Sequence, residues 1–129
     1  MSETREQKIP GPEHPITVEP FSGHVVATHG SIVIAESDRA LSLGEAAYPA
    51  VLYIPLEDVK RDRLRDSELH TWCPYKGEAS YYEVIGDADE SLGDALWYYG
   101  DPFPAVAEIK DHAAFYTDRV TVTATANES

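Results

Sequence analysis

"HTWCPYKGEASYY", residues 70–82, decides how this chain is to be read. Pro74 fixes φ and Gly77 tolerates positive φ, so residues 73–77 form a good reversal between two strands. The same thirteen positions hold the only cysteine, one of two tryptophans and three of eight tyrosines, so the turn is also a candidate site wall. Lys76 stands three residues after Cys73, where a turn brings the two side chains together. A neighbouring ammonium favours thiolate, the reactive form of cysteine. His70 is a candidate acid or base, although residues 70 and 73 of a strand point to opposite faces.

Outward from this hairpin, short strands dominate. "HVVATHG" and "SIVIAES" are β-branched runs around His29-Gly30, a hairpin signal. "AVLYIP" is a continuous apolar strand stopped by Pro55, and "EASYYEVI" follows Gly77. "DRVTVTATA" alternates, with Val120, Val122 and Ala124 on one face and threonines on the other. One helix is expected late in the chain: Asp101 caps it, Pro102 and Pro104 fit its first turn, and Val106, Ile109 and Ala113 share a face. A short helical turn is expected at "LEDVKRDRL". Pro10, Pro12, Pro15 and Pro20 make residues 1–20 an extended arm, leaving residues 21–129 as one β-rich domain. The fold class is α+β, predominantly antiparallel β.

A chain of 129 residues fits a single domain, and 43% hydrophobic residues supply one core. No apolar run approaches a membrane span, and "MSETREQKIPG" has no signal-peptide core. One cysteine gives no intramolecular disulfide, so a reducing cytoplasm is the expected location. The net charge of −13 argues against nucleic acid as a partner. Four of the ten basic residues, Lys60, Arg61, Arg63 and Arg65, fall in "VKRDRLR". They are either solvated charges balanced by Asp58, Asp62 and Asp66 or a local positive mouth for a small anion.

Zinc is not expected from a lone cysteine and scattered histidines. "GDADESLGD" lacks the spacing of a calcium loop and reads as a solvated tip. What remains is an aromatic and polar constellation: Trp72, Tyr75, Tyr81 and Tyr82, then Trp97, Tyr98 and Tyr99. Lining a concave face, such residues bind flat or cationic ligands.

"KIPGPEHPITVEP", "IAESDRAL", "YPAVLYIPLEDV", "HTWCPYKGEASYY" and "ALWYYGDPFPAVAEIKDHAAFY" together resemble the family catalogued as domain of unknown function 427, from about residue 8 to 122. The resemblance implies a fold akin to the β-tent group, which includes B-type methionine sulfoxide reductases and the drug-binding domain of cereblon. Many β-tent proteins hold zinc through two C-x-x-C pairs. Cys73 stands alone here, so neither zinc nor a two-cysteine cycle carries over. The family's nucleotidyltransferase-like label would imply Mg2+, for which Asp58 and Asp62 are the nearest carboxylates; otherwise no cofactor is expected.

Three functions of different class fit these residues. The first is a small-molecule-binding domain whose pocket is lined by Trp72, Tyr81 and Trp97, with Lys76 and Arg61 meeting an anionic group. The second is an enzyme acting on a small anionic substrate, with Cys73, Lys76 and His70 as its catalytic groups. The third is an interaction or structural module, in which these residues build only the turn and the core.

Overall fold

A computed structural model describes residues 7–127 of the chain. Ten strands run in chain order: β1 (Ile16–Pro20), β2 (Gly23–His29), β3 (Ile32–Ser37), β4 (Leu41–Glu45), β5 (Tyr48–Pro55), β6 (Leu64–Cys73), β7 (Gly77–Val84), β8 (Leu96–Tyr98), β9 (His112–Phe115) and β10 (Thr121–Ala126). Seven of them make one sheet in the order β1-β4-β5-β9-β8-β7-β6, and three make a second in the order β10-β2-β3. Every strand pairing is antiparallel.

The hairpins fall where the turn chemistry puts them. His29 pairs with Ile32 across Gly30-Ser31, and Gly30 takes φ 59, which its missing Cβ permits. Cys73 pairs with Gly77 across Pro74-Tyr75-Lys76, and Gly77 takes φ 111. "LEDVKRDRL" forms two single 3₁₀ turns, Leu56–Asp58 and Arg61–Arg63.

The late helix is a correction. Pro104–Ile109 is a six-residue 3₁₀ segment, broken inside by Val106 at φ −129. Ala113, expected on its apolar face, belongs instead to β9. The reason is room: Asp111 turns the chain at φ 57, and the strand that separates β5 from β8 must begin at His112. Val106 and Ile109 are still buried, so the apolar spacing serves the core without a full helical turn.

Residues 16–20 pair along β4 as the edge strand of the large sheet. Ahead of them, the Lys8 N–H donates to the Pro74 carbonyl at 2.7 Å, which ties the chain across the Cys73–Gly77 turn. The first six residues of the arm lie outside the described residues.

Strand alternation gives the large sheet two different faces. Ile54, Val84, Leu96 and Phe115 join Val25, Ile34 and Val120 in a core that includes the small sheet. Tyr53, Tyr81, Tyr99 and Ala114 face the other way and pack with Leu43, Val106 and Ile109 in a second core. Among the described residues no helix is long and apolar enough to cross a membrane.

Candidate functional site

The second core opens at one end into a pocket of about 290 Å3. Its apolar wall includes Leu43, Val51, Trp97 and Tyr116, and its polar groups come from Glu45, Tyr53, Cys73, Lys76, Tyr81 and Tyr99. A wider apolar groove of about 520 Å3 adjoins it and shares Tyr48, Pro49, Val51, Trp97 and Tyr116. Tyr48 and Tyr116 are both exposed, at 69% and 39%, so the mouth is aromatic and open.

Each wall follows from the two-residue period. In β7, Tyr81 points into the second core and Tyr82 towards the first; in β8 and just beyond it, Trp97 and Tyr99 lie on the second core and Tyr98 on the first. The Tyr81↔Trp97 register brings these two side chains together. Tyr53 enters from β5, and its hydroxyl accepts the Trp97 indole N–H at 3.2 Å with the rings edge to face at 6.3 Å. Trp97 also packs on Tyr116, with ring centroids 4.7 Å apart. The Tyr81 hydroxyl bonds to Thr71 Oγ1 at 2.9 Å.

A chain of polar contacts runs from the turn to the arm. Lys76 Nζ lies 3.7 Å from Cys73 Sγ and donates to Glu45 Oε1 at 2.7 Å. His14 Nε2 lies 2.7 Å from the other Glu45 oxygen, and its ring stacks on Tyr75 at 4.0 Å. The Lys76 and Glu45 side chains are only 12% and 19% exposed. Burial works against the Lys76 charge, but the hydrogen bond to Glu45 and the fields of Cys73, Tyr53 and Glu45 outweigh it and hold its pKa above the ordinary lysine value. Burial likewise opposes the Glu45 charge, and the hydrogen bonds from Lys76 and His14 outweigh it, so the carboxyl lies below its usual range. Both groups are therefore charged at neutral pH. Burial raises the Tyr53 and Tyr99 hydroxyls, keeping both as neutral donors. Hydrogen bonding with Tyr81, followed by burial, pushes Tyr116 up to about 12.

Of the residues singled out from sequence, Cys73, Lys76, Tyr81 and Trp97 meet in this pocket. His70, Trp72 and Arg61 do not. Residues 70 and 72 alternate away from 71 and 73. His70 is exposed beside Ser80, 3.2 Å from its hydroxyl, and Trp72 packs edge-on against Phe103 at 5.5 Å. Arg61 sits over the Tyr82 ring at 4.8 Å, on the face opposite the pocket, and Tyr82 stacks on Tyr98. Its neighbours Arg63 and Arg65 pair with Asp89 and Glu83, acids outside the basic run. Glu45, His14, Tyr53 and Tyr116 were not singled out. Glu45 is one of 23 acidic residues, and nothing local in the chain marks it as the partner of a lysine 31 positions away.

The carboxylates offered for Mg2+ do not fit a cation cradle. Asp58 is taken up by the Ser37 hydroxyl at 2.6 Å and by Arg39 at 3.1 Å, and Asp62 is exposed on the following turn. Elsewhere, His29, Asp87 and Glu90 have ligand atoms within 4.8 Å of one another. There His29 Nδ1 accepts the Asp87 N–H and Glu90 accepts the Ala88 N–H, so two of the three already serve the loop.

A family model described as "Domain of unknown function (DUF427)" matches residues 17–126, covering all ten strands except the first residue of β1. The comparison with curated proteins gave no match.

Proposed function

We propose, for a chain that belongs to the DUF427 family, that this domain binds a small molecule in the pocket between Lys76 and Trp97. The observation that carries this reading is the convergence of a paired lysine and several aromatic residues on one concave, open space. Ligand sites typically combine apolar and aromatic walls with a few placed polar groups, and this pocket has that composition. Trp97 and Tyr116, packed on one another, would form a single aromatic wall for the flat body of the ligand at the mouth. Lys76, Tyr53 and Tyr99 would supply donors at the floor. The free Cys73 thiol suits work in a reducing cytoplasm.

Thermal unfolding against a panel of small metabolites tests the reading. A ligand at about a hundred times its dissociation constant adds roughly 2.7 kcal/mol of stability. The stabilisation should vanish in Trp97→Phe or Lys76→Met protein while remaining in Trp72→Phe protein. A ligand that stabilises all three variants equally would place binding elsewhere.

A second reading rests on the 3.7 Å approach of Lys76 Nζ to Cys73 Sγ, an arrangement suited to thiol chemistry. It requires Cys73 to be alkylated by iodoacetamide faster than a free cysteine, with the excess rate lost in Lys76→Met protein. An ordinary rate in the wild type would exclude it.

A further inference from the structure

Tyr99 is 5% exposed and lines the pocket. Its hydroxyl lies close enough to Tyr53, Cys73, Tyr81 and Glu45 to feel their fields. Among the described residues, no protein group hydrogen-bonds to it. Among the described residues no buried side-chain oxygen or nitrogen is left without a partner, so this hydroxyl must reach the open space of the pocket that Tyr99 lines. A hydroxyl that meets the pocket rather than a protein partner keeps its proton for an acceptor that a ligand brings in place of water.

The charges around it narrow the ligand. Lys76 and Glu45 cancel one another at 2.7 Å. An anion entering beside them would meet the Glu45 carboxylate and a lysine already committed to it, and would lose its own hydration. A cation would meet Lys76. A neutral carbonyl oxygen faces neither penalty, and it can accept from the Tyr99 and Tyr53 hydroxyls together. Tyr53 has its proton to give, because it accepts from the Trp97 indole with a lone pair. Trp97 and Tyr116 then provide the faces for a planar group conjugated to that carbonyl.

We infer that the pocket is selective for a neutral, planar compound bearing a carbonyl group, with the Tyr99 hydroxyl as the donor that selects it. This rests on the binding reading above and replaces the anionic ligand expected from the lysine alone.

The test uses benzamide as the neutral planar carbonyl, benzoate as its anionic counterpart and benzylammonium as its cationic one. Binding to the full chain is read by ligand-observed NMR, with Trp97→Phe protein as the pocket control. Benzamide should bind, Trp97→Phe should weaken it, and both ions should bind at least about tenfold more weakly. Tyr99→Phe removes only the hydroxyl and should weaken benzamide about five- to tenfold, the scale of one neutral hydrogen bond. It should leave the melting temperature unchanged or higher, because no protein partner is lost. Benzoate binding as well as benzamide, or Tyr99→Phe binding benzamide normally, would overturn the selectivity while leaving the pocket in place. If none of the three probes binds, or if each binds Trp97→Phe as it binds the wild type, the inference and the pocket reading fall together.

Discussion

Replacing Lys76 with methionine keeps the length of the stem and removes the charge that faces Glu45. At 2.7 Å and an effective dielectric near 20, the gross attraction is of order 6 kcal/mol, most of it offset by the desolvation of the two ions. Breaking a fully buried pair costs about 3–5 kcal/mol and an exposed one less than about 1. With side chains 12% and 19% exposed, and with His14 still on the second Glu45 oxygen, the loss should be about 2–3 kcal/mol. For a domain of this size that lowers the melting temperature by about 10 °C. Adding Glu45→Gln to Lys76→Met removes the stranded carboxylate, so the double variant should recover at least half of the loss. The pH dependence has a fixed sign. Glu45 has a depressed folded pKa, so its contribution is present above the unfolded carboxyl value and is lost as pH falls through the folded one. Lys76 has a raised folded pKa, so its contribution is present below the unfolded lysine value and is lost as pH rises through the folded one. Wild type and Lys76→Met should therefore differ most near neutrality and converge in acid. Calorimetry across pH is the assay. A Lys76→Met protein that melts with the wild type at pH 7, or a double variant whose loss equals the sum of the singles, would refute the buried ion pair.

Tyr53→Phe strips the acceptor from the Trp97 indole and should cost about 1–2 kcal/mol in denaturant unfolding; no loss would mean that this bond is not made. Gly23→Ala would press a Cβ into the Thr125 carbonyl oxygen, at the end of the β2–β10 ladder where Gly23 pairs with Ala126. It should destabilise the domain by about 2 kcal/mol or more and speed amide exchange along β10, whereas normal exchange there would contradict the pairing. His24 donates from both ring nitrogens, to Asp38 at 2.6 Å and Glu36 at 2.8 Å, and these bonds raise its pKa. An NMR titration should find His24 above the ordinary histidine value, and Asp38→Asn with Glu36→Gln should return it there. Its contribution is present below the unfolded pKa and lost as pH rises through the folded one.

How far the sequence carried depends on whether the deciding contact was local. The His29-Gly30 hairpin and the Cys73–Gly77 reversal were legible because turn chemistry lies in adjacent residues. The strand runs were legible because alternation is itself a local pattern. The misreading of the helix after Asp101 has a tertiary cause: β9 must slot between β8 and β5, and β5 is remote in sequence. The aromatic constellation was visible as a composition, but its sorting was not. Tyr81-Tyr82 and Tyr98-Tyr99 each divide between the two faces, so only one residue of each pair reaches the pocket. The approach of Lys76 to Cys73 was legible, whereas its pairing with Glu45 was hidden by a separation of 31 positions.

The two tryptophans separate the two faces of the sheet and give the most direct test of the pocket. Trp97 lies in it and Trp72 lies outside, against Phe103. Their indole N–H resonances can be assigned with Trp72→Phe protein and followed while benzamide and the metabolite panel are titrated in. The account predicts that a bound ligand moves the Trp97 resonance and leaves that of Trp72 in place. A Trp97 resonance that stays fixed through the whole titration, or a shift confined to Trp72, would contradict it.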